Sequence, residues 1–291
     1  MELHLASMEN ITCWAFRKLC KGATDSYTGM LSLTNLVKRA NTWDEMDTFL
    51  IKRQRQWIQI ATSKEAECFA FLKKLEEKIK KNPQKNNIYG IQLNASCPSP
   101  NLIRIGQGPA LIKRPTKVCN LLKELLKQDK YKVGIKLRLG LNEIELKQRK
   151  IFVLFKELEK IARENPNFTN VTIHFKHAGE SSSSKYDYSL LNKIASFKLP
   201  LIINGGINDT EDIKRLIESV EPENRKNIKG FMIGRAALEN PDCFLEINKS
   251  LGGFGFIARS IKEIKAEFNG LCNEHIPKEI YLRMIGEKVF G

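Results

Sequence analysis

The 291-residue sequence predicts an α/β fold, a closed (β/α)8 TIM barrel with a short C-terminal helical extension. Short β-rich apolar runs alternate with longer segments able to form helices, eight times over, which is the pattern of repeated βα units. Eight such units in about 245 residues match the size of a closed barrel. No G-x-G-x-x-G follows the first run, whereas an open dinucleotide-binding sheet needs one at its first turn.

In chain order the runs are Leu3 to Met8, Ser26 to Leu31, Trp57 to Ala61, Ile88 to Asn94, Val133 to Leu139, Val171 to Phe175, Leu201 to Asn204 and Gly230 to Gly234. After the third, Ser63-Lys64-Glu65-Ala66-Glu67 sets a capping residue before acidic side chains, which suit the positive end of a helix. Asn208-Asp209-Thr210-Glu211-Asp212 does the same after the seventh. Ser181 to Ser184 reads as a flexible loop tip. The strand rhythm stops near Ile247, where Gly252-Gly253-Phe254-Gly255 suggests a hinge before one or two helical stretches. The expected organisation is a catalytic barrel over residues 1–246 and a helical extension over 247–291.

A hydrophobic content of 42% and a charged content of 28% describe a soluble globular chain. The 48 Lys and Arg outnumber the 33 Asp and Glu, and a formal charge of +15 attracts polyanions, nucleic acid foremost. A single cluster such as the run Lys73 to Lys85 serves equally well as a solvated helix face. The 7 cysteines are scattered without a C-x-x-C pair, which speaks against a disulfide framework or a zinc site and for a reducing cytoplasm. No apolar stretch approaches the ~20 residues that span a bilayer, and no secretory leader pattern opens the chain, so no membrane association is expected.

In a barrel, chemistry gathers where the strands' carboxyl ends meet the βα loops. Those positions hold Ser7-Met8, Gln59, Asn94 with Cys97, Lys136 with Arg138, His174, Asn204-Gly205-Gly206 and Gly234-Arg235. Either glycine motif alone reads first as a tight turn. On the seventh and eighth runs together, beside a fixed positive charge, they favour a phosphate. Lys136 and Arg138 alternate with apolar neighbours, so both can point into the barrel mouth, where an unpaired charge is costly and an anion is wanted. A neutral His174 could hydrogen-bond a cofactor or substrate oxygen, or be a satisfied core histidine; His177 is expected in solvent. Cys97 lies in a loop between Ile91-Gln92-Leu93-Asn94 and Gly106-Gln107-Gly108-Pro109. A free thiol titrating near ~8.5 is protonated at neutral pH and can act as a general acid or, ionised, as a nucleophile. Cys68, Cys119 and Cys243 read as small buried hydrophobes.

Leu5-Ala-Ser-Met-Glu-Asn-Ile-Thr12, Leu93-Asn-Ala-Ser-Cys-Pro98, Ile135-Lys-Leu-Arg-Leu-Gly140 and Ile233-Gly-Arg-Ala-Ala-Leu-Glu-Asn-Pro241, in this order, resemble the tRNA-dihydrouridine synthases. The resemblance runs from residue 3 to about 246. It implies FMN, reduced by NADPH or NADH, and saturation of the C5–C6 bond of a uridine in tRNA. The flavin N5 hydride goes to C6 and a proton from Cys97 to C5. It further implies that the backbone of Ser7 and Met8 and the side chain of Gln59 contact the isoalloxazine ring, with Lys136 and His174 beside the flavin and its ribityl chain. Asn204, Gly205, Gly206, Gly234 and Arg235 would hold the phosphate, and Asn94 and Arg138 would face the uracil. A uridine in folded tRNA must be extruded to reach such a site.

The chain departs from the family at several points. Ala6-Ser7-Met8 stands for Ala-Pro-Met, Ser96-Cys97-Pro98 for Gly-Cys-Pro and His174-Phe175-Lys176 for His-Gly-Arg; the 45-residue extension allows only a reduced form of the family's helical tRNA-binding domain. Two rival readings are a dihydroorotate-dehydrogenase-like FMN enzyme acting on a free pyrimidine, which the charge of +15 disfavours, and a flavin-less RNA-binding barrel. The modified uridine, the reductant preference and the oligomeric state are left open by the sequence.

Overall fold

Each predicted run becomes a strand in the computed structural model, which describes residues 1–38, 48–81, 83, 87–253 and 255–275. The strands are β1 (Glu2–Leu5), β2 (Asp25–Tyr27), β3 (Leu31–Ser32), β4 (Arg55–Ala61), β5 (Gly90–Ala95), β6 (Lys132–Arg138), β7 (Phe168–His174), β8 (Leu201–Asn204) and β9 (Ile228–Ile233). All pairings are parallel. The ladder runs β1-β2-β4-β5-β6-β7-β8-β9 and returns to β1, closing a barrel of eight strands; β3 adds a short second contact on β4.

Most run ends shift by one to three residues, and two of the differences have evident local reasons. The second run splits at Thr28-Gly29 into β2 and β3. The first ends at Leu5, because Met8 turns back: its N–H donates to Thr12 Oγ1 at 3.1 Å, and its carbonyl accepts from the Thr12 hydroxyl at 3.0 Å.

The strands bury both faces, as a parallel sheet under helices must. Outward side chains such as Ile91, Leu93, Ile135, Leu137 and Val171 join the main core with helix residues spaced three and four apart: Cys68, Phe71 and Leu75 on Glu65–Lys81, and Leu154, Phe155, Leu158 and Ile161 on Ile151–Glu164. Ala6, Tyr27, Trp57, Ile202 and Met232 form a separate apolar cluster on the inward face. Cys68, Cys119 and Cys243 are buried, as read from the sequence.

Both expected helix starts are present. The first begins at Glu65, but the hydroxyl that accepts a backbone N–H is that of Thr62, from Lys64 at 3.0 Å, rather than that of Ser63. The second is capped by Asp209, which accepts from Asp212 N at 2.9 Å. Lys73, Lys80 and Lys81 lie on the solvated face of Glu65–Lys81; positions 82, 84 and 85 of that lysine run lie outside the described residues.

The described part of the expected extension packs against the barrel. Helix Cys243–Ser250 runs across residue 246, and helix Ile261–His275 buries Ile264, Phe268, Leu271 and Cys272, packing beside helix Trp14–Leu19. Arg259 fastens it with bonds to Asp242, to Glu267 Oε2 at 2.5 Å and to the Leu19 carbonyl at 3.0 Å. Residues 276–291 of the expected extension and Phe254 of the expected hinge lie outside the described residues.

Candidate active site

The carboxyl ends of the strands open into a cleft of about 400 Å³, in the range of small-molecule and cofactor pockets. Ser7, Met8, Gln59, Asn94, Cys97, Lys136, Arg138, His174, Asn204, Gly205, Gly206, Gly234 and Arg235 all line it. Residues drawn from seven strand ends are thus gathered in one place by barrel closure.

Cys97 sits at the start of the loop after β5. Asn94 Oδ1 accepts the backbone N–H of Ser96 at 2.9 Å and of Cys97 at 2.8 Å, a side-chain turn that fixes how the thiol is presented. Burial pushes the half-buried Cys97 thiol up from its ordinary value, so it is held protonated. Arg138 ends β6 and donates to the Ser96 carbonyl at 2.7 Å and the His177 carbonyl at 3.1 Å, tying the Cys97 loop to the loop after β7.

Lys136 is 9% exposed, and among the described residues its Nζ has no hydrogen-bond acceptor. Burial first, and the Arg138 charge second, bring it down to about 8. A ligand oxygen carrying negative charge would relieve both. His174 is likewise driven down, to about 3, by burial and then by the charges of Lys136 and Arg138, so its ring is neutral. Asn204 Nδ2 donates to the Met232 carbonyl at 2.8 Å, which leaves Asn204 Oδ1 as the acceptor for His174 Nδ1 at 2.9 Å. The His174 hydrogen is therefore on Nδ1, and Nε2 can accept from an O–H or N–H.

Tyr186 was not singled out from the sequence. It lies in the long loop between β7 and helix Leu191–Ala195, where no periodicity marks a functional side chain; the Tyr186-x-Tyr188 pair after the serine tract is the sole available cue. Its hydroxyl accepts from Arg235 at 2.9 Å, Lys176 Nζ sits 4.5 Å over its ring, and its ring meets His174 edge-on at 5.4 Å. A Cβ on Gly205 or Gly206 would stand 2.4 or 2.7 Å from that ring, and both residues have positive φ, so only glycine fits. Ser181 and Ser182, read as part of a flexible tip, line the cleft. Their carbonyls accept from Lys176 at 3.0 and 3.1 Å, and that of Ser182 also from Arg235 at 3.3 Å. His177, expected in solvent, is only 16% exposed; its Nδ1 accepts from Gly179 N at 3.1 Å and shapes the same loop.

The sequence model of a family described as "Dihydrouridine synthase (Dus)" matches residues 4–282. The chain is 26% identical over 256 residues to a probable tRNA-dihydrouridine synthase of Aquifex aeolicus, covering 85% of this chain and 73% of that one. It is 27% identical over 259 residues to a probable tRNA-dihydrouridine synthase of Helicobacter pylori, covering 85% and 70%. Among solved structures it is similar to morphinone reductase, with a TM-score of 0.53 and 8% identity over 90% of this chain and 88% of that one. A GH18 chitinase from Pseudoalteromonas aurantia is similar at a TM-score of 0.51 and 11% identity, over 86% and 100%. A reductase and a chitinase at such identities share the barrel alone, and the fold does not choose the chemistry.

Proposed function

The chain belongs to the dihydrouridine synthase family, and from that premise we propose that it reduces the C5–C6 bond of a uridine in tRNA. Its cofactor in this reading is FMN, its reductant NADPH or NADH, and its proton donor Cys97. The observation that carries the reading is a thiol whose loop is fixed by Asn94 at a cleft that also holds Lys136, a buried side chain without a hydrogen-bond acceptor among the described residues.

The residues present fit a flavin mononucleotide. Lys136 supplies a buried positive charge for an electron-rich edge, and neutral His174 offers Nε2 to a hydroxyl of a ribityl chain. The Gly205-Gly206 turn, Gly234 and Arg235 form the polar end suited to a phosphate, with Asn204 bracing it through His174 and Met232. Ser7, Met8 and Gln59 would border the ring system, and Asn94 and Arg138 the uracil. When bound, reduced FMN supplies the hydride that adds at C6 of the pyrimidine.

The protein's own part is the proton. The Cys97 S–H bond breaks as the C5–H bond forms, and the resulting thiolate, with Arg138 and Lys136 favouring its charge, regains a proton from solvent. The nucleotide must be turned out of the tRNA to reach this depth. We also propose the division into a catalytic barrel over 1–246 and an extension over 247–291 that adds to the tRNA contact, with Lys249 and Lys262 on its exposed side.

The test is an unmodified tRNA transcript incubated with the protein, FMN and NADPH, with dihydrouridine measured by mass spectrometry. Cys97→Ala should retain bound flavin and lose turnover by about 10²-fold or more, the usual worth of a positioned acid. Oxidation of dihydroorotate in a parallel assay, with no dihydrouridine formed, would overturn the reading.

A further inference from the structure

Polar side chains on the inward face of the barrel form an unbroken file from the Cys97 loop to the opposite end of the strands. Asn94 Nδ2 donates to Gln59 Oε1 at 2.7 Å, and Gln59 Nε2 donates to Gln92 Oε1 at 2.7 Å. Gln92 Nε2 donates to Asn170 Oδ1 at 3.1 Å and also to Thr172 Oγ1 at 3.2 Å. Asn170 Nδ2 donates to the Tyr27 hydroxyl at 2.9 Å, which lies 2.9 Å from His4 Nδ1. None of these seven residues is more than 6% exposed. Gln92 and Asn170 lie on strands that are not neighbours, and the strand between them places Gly134 at the crossing. A Cβ there would stand 2.6 Å from Asn170 Oδ1, so the gap is kept open by the glycine.

The direction of the file is set from its upper end. Asn94 Oδ1 is held by two backbone N–H groups, which cannot exchange roles with it, so Asn94 must donate downward. Each amide then accepts from above and donates below. The Tyr27 hydroxyl accepts from Asn170, and among the described residues His4 Nδ1 is the one other partner it has, so its own hydrogen points there. A neutral His4 ring therefore carries its hydrogen on Nε2, 3.2 Å from Glu2 Oε2 and 3.6 Å from Asp25 Oδ2. The charged and titratable groups facing His4 are Glu2, Asp25 and Tyr27, with Arg55 bound to both carboxylates.

We propose that Gln92, Asn170 and Tyr27 are positioning residues for Asn94, Gln59 and the Cys97 loop, and that this file couples the loop to the tautomer of His4. Calling the loop catalytic rests on the function proposed above; the coupling itself does not. The consequence for the reaction is that Gln59 and Asn94 present fixed faces to whatever enters the cleft, with no choice of amide orientation left to the ligand.

The test uses the full chain without flavin or tRNA, so its outcome is independent of whether uridine is reduced. Ring 15N spectra, with the His4 signal assigned by its loss in His4→Gln, should show a protonated Nε2 and a bare Nδ1. Asn170→Asp keeps the acceptor for Gln92 but takes the Tyr27 hydrogen for itself, and should move the His4 hydrogen to Nδ1, with Cys97 alkylation by iodoacetamide read alongside. Gln92→Met cuts the file and should speed that alkylation about fivefold, the factor one lost buried hydrogen bond is worth. The other cysteines are buried, so the reagent reports on Cys97. A hydrogen on His4 Nδ1 in the unaltered protein, or an unmoved tautomer in Asn170→Asp, overturns the proposal, as does an unchanged alkylation rate in a folded Gln92→Met variant.

Discussion

At Lys136 burial first and the Arg138 charge second oppose the ammonium and outweigh Cys97, which favours it, bringing the group to about 8. The proposed flavin should therefore bind through the protonated side chain, and its affinity should fall as the pH climbs past about 8. Fluorescence titration of FMN checks this. Lys136→Met should bind more weakly and lose that slope, and a wild-type affinity that is flat across the range would count against the assignment. Lys136 was legible in the sequence because a charge alternating with apolar residues on a strand has to point somewhere costly. Tyr186 was not, because its place over Gly205 and Gly206 is set by where a long loop lands.

Among the elements, β1, β2 and β4 share a cluster at their amino ends, where Arg55 bonds Glu2 at 2.5 Å and Asp25 at 2.6 Å. Burial pushes the Glu2 carboxyl up, but the hydrogen bonds from His4 and Arg55 and the Arg55 charge outweigh it and hold the group at about 2. A folded value below the unfolded 4.5 means stability that is fully present above pH 4.5 and lost as pH falls toward 2. Thermal melts of Glu2→Gln and wild type should accordingly differ at pH 7 and converge near pH 2; a constant gap would show that the charge is not responsible. In the extension, Phe268 is 1% exposed against the core, and Phe268→Ala should cost about 3–5 kcal/mol in denaturant unfolding. The strands were readable from their apolar runs. The docking of this helix was not, since it depends on Arg259 meeting Asp242, Glu267 and the Leu19 carbonyl from distant parts of the chain.

For the whole molecule, the formal charge of +15 bears on association rather than on folding. Affinity for tRNA should fall steeply between about 50 and 200 mM salt, and a filter-binding curve that ignores salt would contradict an electrostatic encounter. The barrel class followed from counting units, and the cleft's location from the rule that strands deliver their carboxyl ends to one face. Arg138 adds something that neither rule contains, because its two backbone bonds join the loop bearing the thiol to the loop bearing Tyr186. Under the proposed function, a cofactor that holds the β7 loop in place would, through these two bonds, also hold the loop that presents Cys97.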